Sequence, residues 1–177
     1  MKESKTNFND ISIVGRISLL FPKKIVIVRA GKINAPKAMV MQQIRYFRNW
    51  PNWSPWIAIE PTVKMEYGGK DGDLNSYYKW RGDETGEGKM TNISVMQDQL
   101  NYTLEFIKPW KGKADGYIST KSINEKSTYL VWSMTIESKY PLNVFNFVTE
   151  KIVSDDFEKG IELLNKYFVN GAVNKAE

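Results

Sequence analysis

Trp50-Pro51-Asn52-Trp53-Ser54-Pro55-Trp56 is the stretch on which the fold turns. Three tryptophans stand three residues apart, and two prolines interrupt them. Proline lacks the backbone donor that a helix interior or a central strand requires. So costly a cluster therefore reads as a packed, irregular connection. A helical period precedes it and an alternating period follows it.

Upstream, Ile25-Val26-Ile27-Val28 is β-branched throughout and predicts a strand running to about Ile33. Asn34-Ala35-Pro36 stops it, and Pro36 suits the first turn of a helix, where a missing N–H costs nothing. Val40, Ile44 and Phe47 then fall on one helical stripe. The helix should end before Pro51, because a residue preceding proline avoids helical dihedrals.

Downstream, from about Thr62 to Glu137, the period becomes two. Gly68-Gly69 with Asp71-Gly72, then Gly82 to Gly88, then Lys111-Gly112-Lys113 mark turns. Tyr78 and Trp80 share a face of one strand, and Leu100, Tyr102, Leu104 and Phe106 share a face of another. Thr128, Leu130, Trp132, Met134 and Ile136 share a face of the last. This is an antiparallel meander with one apolar face.

After Pro141 the helical period returns. Val144, Val148 and Ile152 form a stripe, and a break is expected near Ser154, with Asp155 and Asp156 complementing a new helix N-terminus. Phe157, Ile161, Leu164 and Phe168 predict a long amphipathic helix to about residue 170. Gly160 inside it should cost about 1 kcal/mol against alanine, so close approach to the sheet or to a ligand is expected there. The order of elements is satisfied by a curved antiparallel sheet wrapped around the final helix, an α+β architecture. Residues 1–21 read as an N-terminal extension, with Ile11 to Phe21 on a period-two face. Residues 22–170 form one domain and residues 171–177 a tail.

Composition removes several chemistries. The chain of 177 residues has neither cysteine nor histidine. Disulfides, thiolate nucleophiles, Cys-ligated zinc and an imidazole base are therefore excluded. No run approaches the ~20 apolar residues of a membrane span. The first 48 residues hold ten Lys or Arg against two acids, and the remainder fifteen against eighteen. That asymmetry reads as a solvated basic face on the first strand and helix, and no dense basic run with interleaved aromatics points to nucleic acid. Gly86-Glu87-Gly88-Lys89 is not a phosphate loop, since no Ser or Thr follows the lysine and no helix follows the turn. Asp71, Asp73 and Asn75 begin like a calcium loop, but Ser76 and Gly82 stand where its glycine and glutamate belong.

Taken together, the residues resemble the START-like helix-grip (SRPBCC) superfamily, in particular its polyketide cyclase/dehydrase and lipid-transport branch. The resemblance covers about residues 24–170. It is carried by Ile33-Asn34-Ala35-Pro36, Trp53-Ser54-Pro55-Trp56, Tyr67-Gly68-Gly69, Trp80-Arg81-Gly82 and Gly86-Glu87-Gly88-Lys89-Met90. Phe106-Ile107-Lys108-Pro109, Val131-Trp132-Ser133-Met134 and Phe157-Glu158-Lys159-Gly160-Ile161 complete it. It implies a seven-stranded curved antiparallel sheet around a long C-terminal helix, one or two short helices after the first strand, and an interior hydrophobic cavity.

The function expected on this basis is binding of a small hydrophobic or amphipathic molecule, lipid-like or polyketide-like, between sheet and helix. The alternative is a cyclase or dehydratase acting in the same cavity, which would need an ionisable side chain inside it. A third class, a protein-interaction module, would need an exposed apolar patch. The candidate ligand-binding residues are Trp56, nearest the mouth, with Tyr78, Trp80, Met90, Tyr102, Trp132 and Met134 on the sheet, and Phe157 and Ile161 on the helix. Each taken singly also suits ordinary core packing. No catalytic residue, metal site or cofactor is expected. The partner is the small molecule rather than nucleic acid, peripheral membrane contact is not favoured, and a cytoplasmic location is expected.

Overall fold

The structure is a computed structural model and describes residues 18–109 and 111–173, with the side chains of 172 and 173 excepted. Seven strands follow in chain order. These are β1 (Lys24–Ile33), β2 (Lys64–Gly68), β3 (Tyr77–Arg81), β4 (Glu87–Val95), β5 (Gln99–Lys108), β6 (Gly112–Asn124) and β7 (Ser127–Glu137). They form one antiparallel sheet in the order β1-β7-β6-β5-β4-β3-β2. Helix α1 (Lys37–Arg45), a 3-10 turn (Phe47–Asn52) and helix α2 (Pro55–Ile59) lie between β1 and β2. A second 3-10 turn (Leu142–Phe145) leads into the long helix α3 (Asn146–Val173). This is the helix-grip arrangement that the order of periods predicts.

The alternation of β1 is visible in its burial. Ile25 and Ile27 face the core, while Val26 and Val28 face solvent. Helix α3 crosses this strand closely, so that a Cβ on Gly31 would stand 2.7 Å from Ile161 Cγ2. Arg29 Nε donates to Glu158 Oε1 at 2.6 Å, and Asn165 accepts from Asn34 N–H and donates to Lys32 O. Helix and first strand are thus held by side chains as well as by apolar contact.

The tryptophan stretch is more regular than the sequence predicts. Pro51 sits inside the 3-10 turn and Pro55 in the first turn of α2, where its missing donor is harmless. The indoles explain the spacing. The last carbonyls of a helix lack intrahelical donors. Trp50 Nε1–H donates to Ile44 O at 2.9 Å and Trp53 Nε1–H to Gln43 O at 3.1 Å. Two buried rings thereby close the end of α1.

Trp132 of β7 is the centre of the core. Phe157 of α3 stacks on it at 4.2 Å and 8°, and Trp50, Trp53 and Trp56 meet it edge-on at 5.5–6.0 Å. Its Nε1–H donates to Tyr102 OH at 2.8 Å, which in turn donates to Ser133 O. Gly160 lies against this cluster. An added Cβ would be 2.7 Å from Trp132 Cζ3 and 3.3 Å from Pro55 Cδ. The glycine predicted to mark a close approach marks the closest passage of α3 over the tryptophans.

Two expectations need correction. Helix α3 is continuous through Ser154, which is buried, and Asp155 and Asp156 lie in its interior rather than at a new N-terminus. The stripe of Val144, Val148 and Ile152 is not the gripping face, for Val148 and Ile152 are about half exposed. The inward face of this half of α3 carries Asn146, Thr149, Val153 and Ser154 instead, side chains too small to reach the sheet. Asn143 Nδ2 donates to Ser18 O and Phe21 O, and Asn146 Nδ2 to Pro22 O, fixing where the helix begins. The predicted period-two segment Ile11 to Phe21 lies largely outside the described residues. Its described part, residues 18–21, is helical turn and bend. The tail beyond residue 173 also lies outside them, and α3 itself runs past the expected end near residue 170. No helix among the described residues is long and apolar enough to cross a membrane.

Candidate functional site

The first half of α3 carries small inward side chains, so sheet and helix do not meet there. A cavity of about 410 Å³ remains. Its floor is the end of the sheet where β5 finishes, β6 begins and β7 finishes, and supplies Leu104, Phe106, Gly112, Met134 and Ile136. Met65, Tyr78 and Trp80 of β2 and β3 form one wall. Trp56 and Ile57 of α2 form another, and Thr149, Val153 and Asp156 of α3 form the roof. Lys108, Pro109 and Lys111, where β5 passes to β6, stand at the rim with Thr85. The volume lies in the range of small-molecule sites, and the lining is mainly apolar with a few polar groups, the usual chemistry of such sites.

Four of the sequence-predicted residues line this space: Trp56, Tyr78, Trp80 and Met134. Five do not. Met90, Tyr102, Trp132 and Phe157 are fully buried in the core beside the cavity, and Ile161 packs over Gly31 of β1. The reason is depth. Alternation fixes the face of a strand, but the cavity occupies one end of that face. Tyr102 and Trp132 sit mid-strand beneath the tryptophan connection, whereas Phe106 and Ile136, two positions or more toward the open end, line the space.

The lining residues missed from sequence include Ser54, Met65, Val153 and Asp156. Asp156 has the most chemical consequence. Trp56 Nε1–H donates to its Oδ2 at 3.0 Å, and burial pushes its carboxyl above the usual aspartate range despite that bond. The Asp155 charge beside it acts in the same sense. Tyr78 is neutral for a similar reason, since burial raises its phenol far above the ordinary value. Ser54 is buried, and among the described residues its Oγ has no hydrogen-bond partner.

The rim is held by one carboxylate. Glu60, directly after α2, accepts from Asp83 N–H at 2.7 Å through Oε1. Its Oε2 accepts from Glu84 N–H, Thr85 N–H and Thr85 Oγ1–H at 2.7–3.2 Å. These bonds, those of Thr85 foremost, hold its carboxyl below the usual glutamate value. Thr85 O in turn accepts from Trp80 Nε1–H at 3.1 Å, so the turn after β3 and a cavity wall are one unit. Opposite, Glu87 pairs with Arg81 and Lys108 at 3.1 and 3.3 Å. No group of three Asp or Glu among the described residues is placed to hold a metal ion.

A second depression of similar volume lies on the outer face of β5–β7, lined by Lys37, Gln99, Ser119, Lys121 and Ser122 among others. Its walls are largely polar and it encloses no comparable apolar surface.

No protein-family profile and no curated protein matches the chain by sequence. Solved structures do match in shape. An uncharacterised protein from Bacillus thuringiensis superposes with a TM-score of 0.64 at 17% identity, over 82% of this chain and 99% of that one. Ara h 8.0201 gives 0.58 at 11% identity, over 83% and 99%. DynU16, a protein of the dynemicin biosynthetic locus, gives 0.58 at 10% identity, over 82% of this chain and 48% of its own. At these identities the likeness is one of fold.

Proposed function

We propose that this helix-grip chain binds a small hydrophobic or amphipathic molecule, lipid-like or polyketide-like, in the cavity beneath the first half of α3. The observation that supports the reading most is the inward face of that half-helix. Thr149 and Val153 are too short to fill the space over Met65, Leu104 and Met134, and the apolar walls there are left without a covering side chain. Bringing an apolar ligand into contact with them would be favourable by about 25 cal/mol per Å² of surface removed from water, before the costs of association. That Ara h 8.0201 and a protein of the dynemicin biosynthetic locus share the fold is compatible with the reading and is an analogy of architecture.

A titration with Nile red, an uncharged apolar dye, tests it. The reading predicts saturable fluorescence enhancement that is lost in Val153→Trp, whose indole would occupy the space, and kept in Val148→Trp on the solvent side of the same helix. Equal binding by both variants would contradict it.

Asp156 gives the second reading, an enzyme of cyclase or dehydratase type, its specific observation. It is an ionisable group inside the cavity with a raised proton affinity, the property a general acid or base needs. Turnover of an aromatic or poly-keto substrate that Asp156→Asn abolishes without weakening substrate binding would favour this reading over simple carriage.

A further inference from the structure

Two side chains in the lining of the cavity beneath α3, on neighbouring elements, have a polar atom without a hydrogen-bond partner among the described residues. Ser54 occupies the position before α2 without capping it: it is 2% exposed, and its Oγ has no partner among the described residues. Two residues on, Trp56 Nε1–H reaches across to Asp156 Oδ2, while Asp156 Oδ1 accepts no hydrogen bond from the described residues. Both Ser54 and Asp156 line the cavity. Ser54 Oγ is buried and Asp156 half-buried, and a polar atom shut from water without a partner costs free energy that a ligand can recover by supplying one. Of the other lining side chains, Ile57, Val153 and Met134 offer no hydrogen bond, and the Tyr78 hydroxyl is a further neutral donor or acceptor on the opposite wall.

We infer that the cavity selects an apolar molecule carrying a hydrogen-bond donor, a hydroxyl or an amino group, which donates to Asp156 and meets Ser54 Oγ. This inference rests on the binding reading above and adds the chemistry of the head group. A hydroxyl satisfies both partners at once, donating to the carboxylate and accepting from the serine. An ammonium group donates to both and neutralises the half-buried charge. An acceptor-only head leaves Asp156 Oδ1 without a donor, and a carboxylate head is repelled by the aspartate. The other charges near the head group are accounted for. Asp155 points to solvent and pairs with Lys151, Lys108 is paired with Glu87, and Lys111 stands at the rim.

The test compares four ligands with one tail, decylamine, decanol, decyl methyl ether and decanoate, by displacement of Nile red near neutral pH. Hydrogen bonds to a charged partner correspond to an advantage of about tenfold or more. Decylamine and decanol are therefore expected to bind at least about tenfold tighter than the ether, with decanoate weakest. In Asp156→Asn the advantage of decylamine over the ether should fall to within about threefold, because the charge–donor pair is gone. In Ser54→Ala the advantage of decanol should shrink while the affinity for the ether is kept. The series on the native chain stands even where a variant fails to fold. Equal affinity for all four overturns the inference and leaves the binding reading intact. Tightest binding of decanoate, lost in Lys111→Ala, overturns it in favour of a cationic rim. No displacement by any of the four, together with no Nile red binding, overturns the binding reading itself.

Discussion

Replacing Gly160 by alanine sets two known effects against each other. Alanine in a helix interior is favoured over glycine by about 1 kcal/mol. The methyl, however, would stand 2.7 Å from Trp132 Cζ3, nearly 1 Å inside an unstrained carbon–carbon contact. The ring cannot retreat. Phe157 is stacked on its face, three tryptophans edge it, and its N–H is tied to Tyr102. Pro55 blocks the other side of the methyl at 3.3 Å. Overpacking of a fixed core costs about 1–3 kcal/mol. The net expectation is a loss of up to about 2 kcal/mol, the propensity gain being cancelled or outweighed. Gly171, near the end of the same helix, has nothing within 4 Å of its would-be Cβ. There alanine should be neutral or stabilising by up to about 1 kcal/mol. Urea unfolding followed by circular dichroism reads both, as opposite shifts of midpoint with unchanged slope. A Gly160→Ala protein more stable than the native chain, by the margin expected for alanine at Gly171, would refute the close passage of α3 over Trp132.

Other expectations follow from single contacts. Tyr102→Phe leaves the buried Trp132 N–H without its acceptor and should cost about 1–3 kcal/mol by the same unfolding measurement. Val148→Lys and Ile152→Lys, on the exposed flank of α3, should change stability by no more than about 0.5 kcal/mol, whereas Leu164→Lys should unfold the chain. Glu60→Gln should lower the melting temperature at neutral pH by removing a charged acceptor of four hydrogen bonds. The folded-state pKa of Glu60 is depressed. Its stabilisation is therefore complete above the unfolded value of about 4.3 and disappears as pH falls through the lower folded value. The gap in melting temperature between native and variant should close over that acidic window.

Most of the sheet was legible because solvent lies on one side of it and core on the other, which imposes alternation on every strand. The turns at Gly69 to Ser76 and Gly82 to Gly86 announced themselves through glycine and aspartate. The hairpins at Met96 to Asp98 and Glu125-Lys126 contain neither glycine nor proline, so the residues alone did not divide β4 from β5 or β6 from β7. Gly160 was legible as a contact because a costly residue in a helix needs a reason. The first half of α3 was misread because its greasiest stripe, through Val148 and Ile152, faces outward and its inward stripe is small and polar. Periodicity finds the apolar face, and the cavity exists where that face is missing. In sequence Asp156 looks like a helix terminus for the same reason. Alternation likewise gave the face of Tyr102 and Trp132 but not their depth along the sheet.

The central claim, that an apolar guest enters between sheet and helix, is tested most directly by NMR of the methionine methyl groups during titration with decanol. Met65 and Met134 line the cavity, Met41 and Met90 are buried in the core, and Met39 and Met96 are exposed. The account predicts that Met65 and Met134 shift to saturation and show cross-relaxation with the decyl chain, while Met41 and Met90 stay essentially in place. Saturable binding that moves only Met39 or Met96, and leaves the two cavity methionines unchanged, would contradict it.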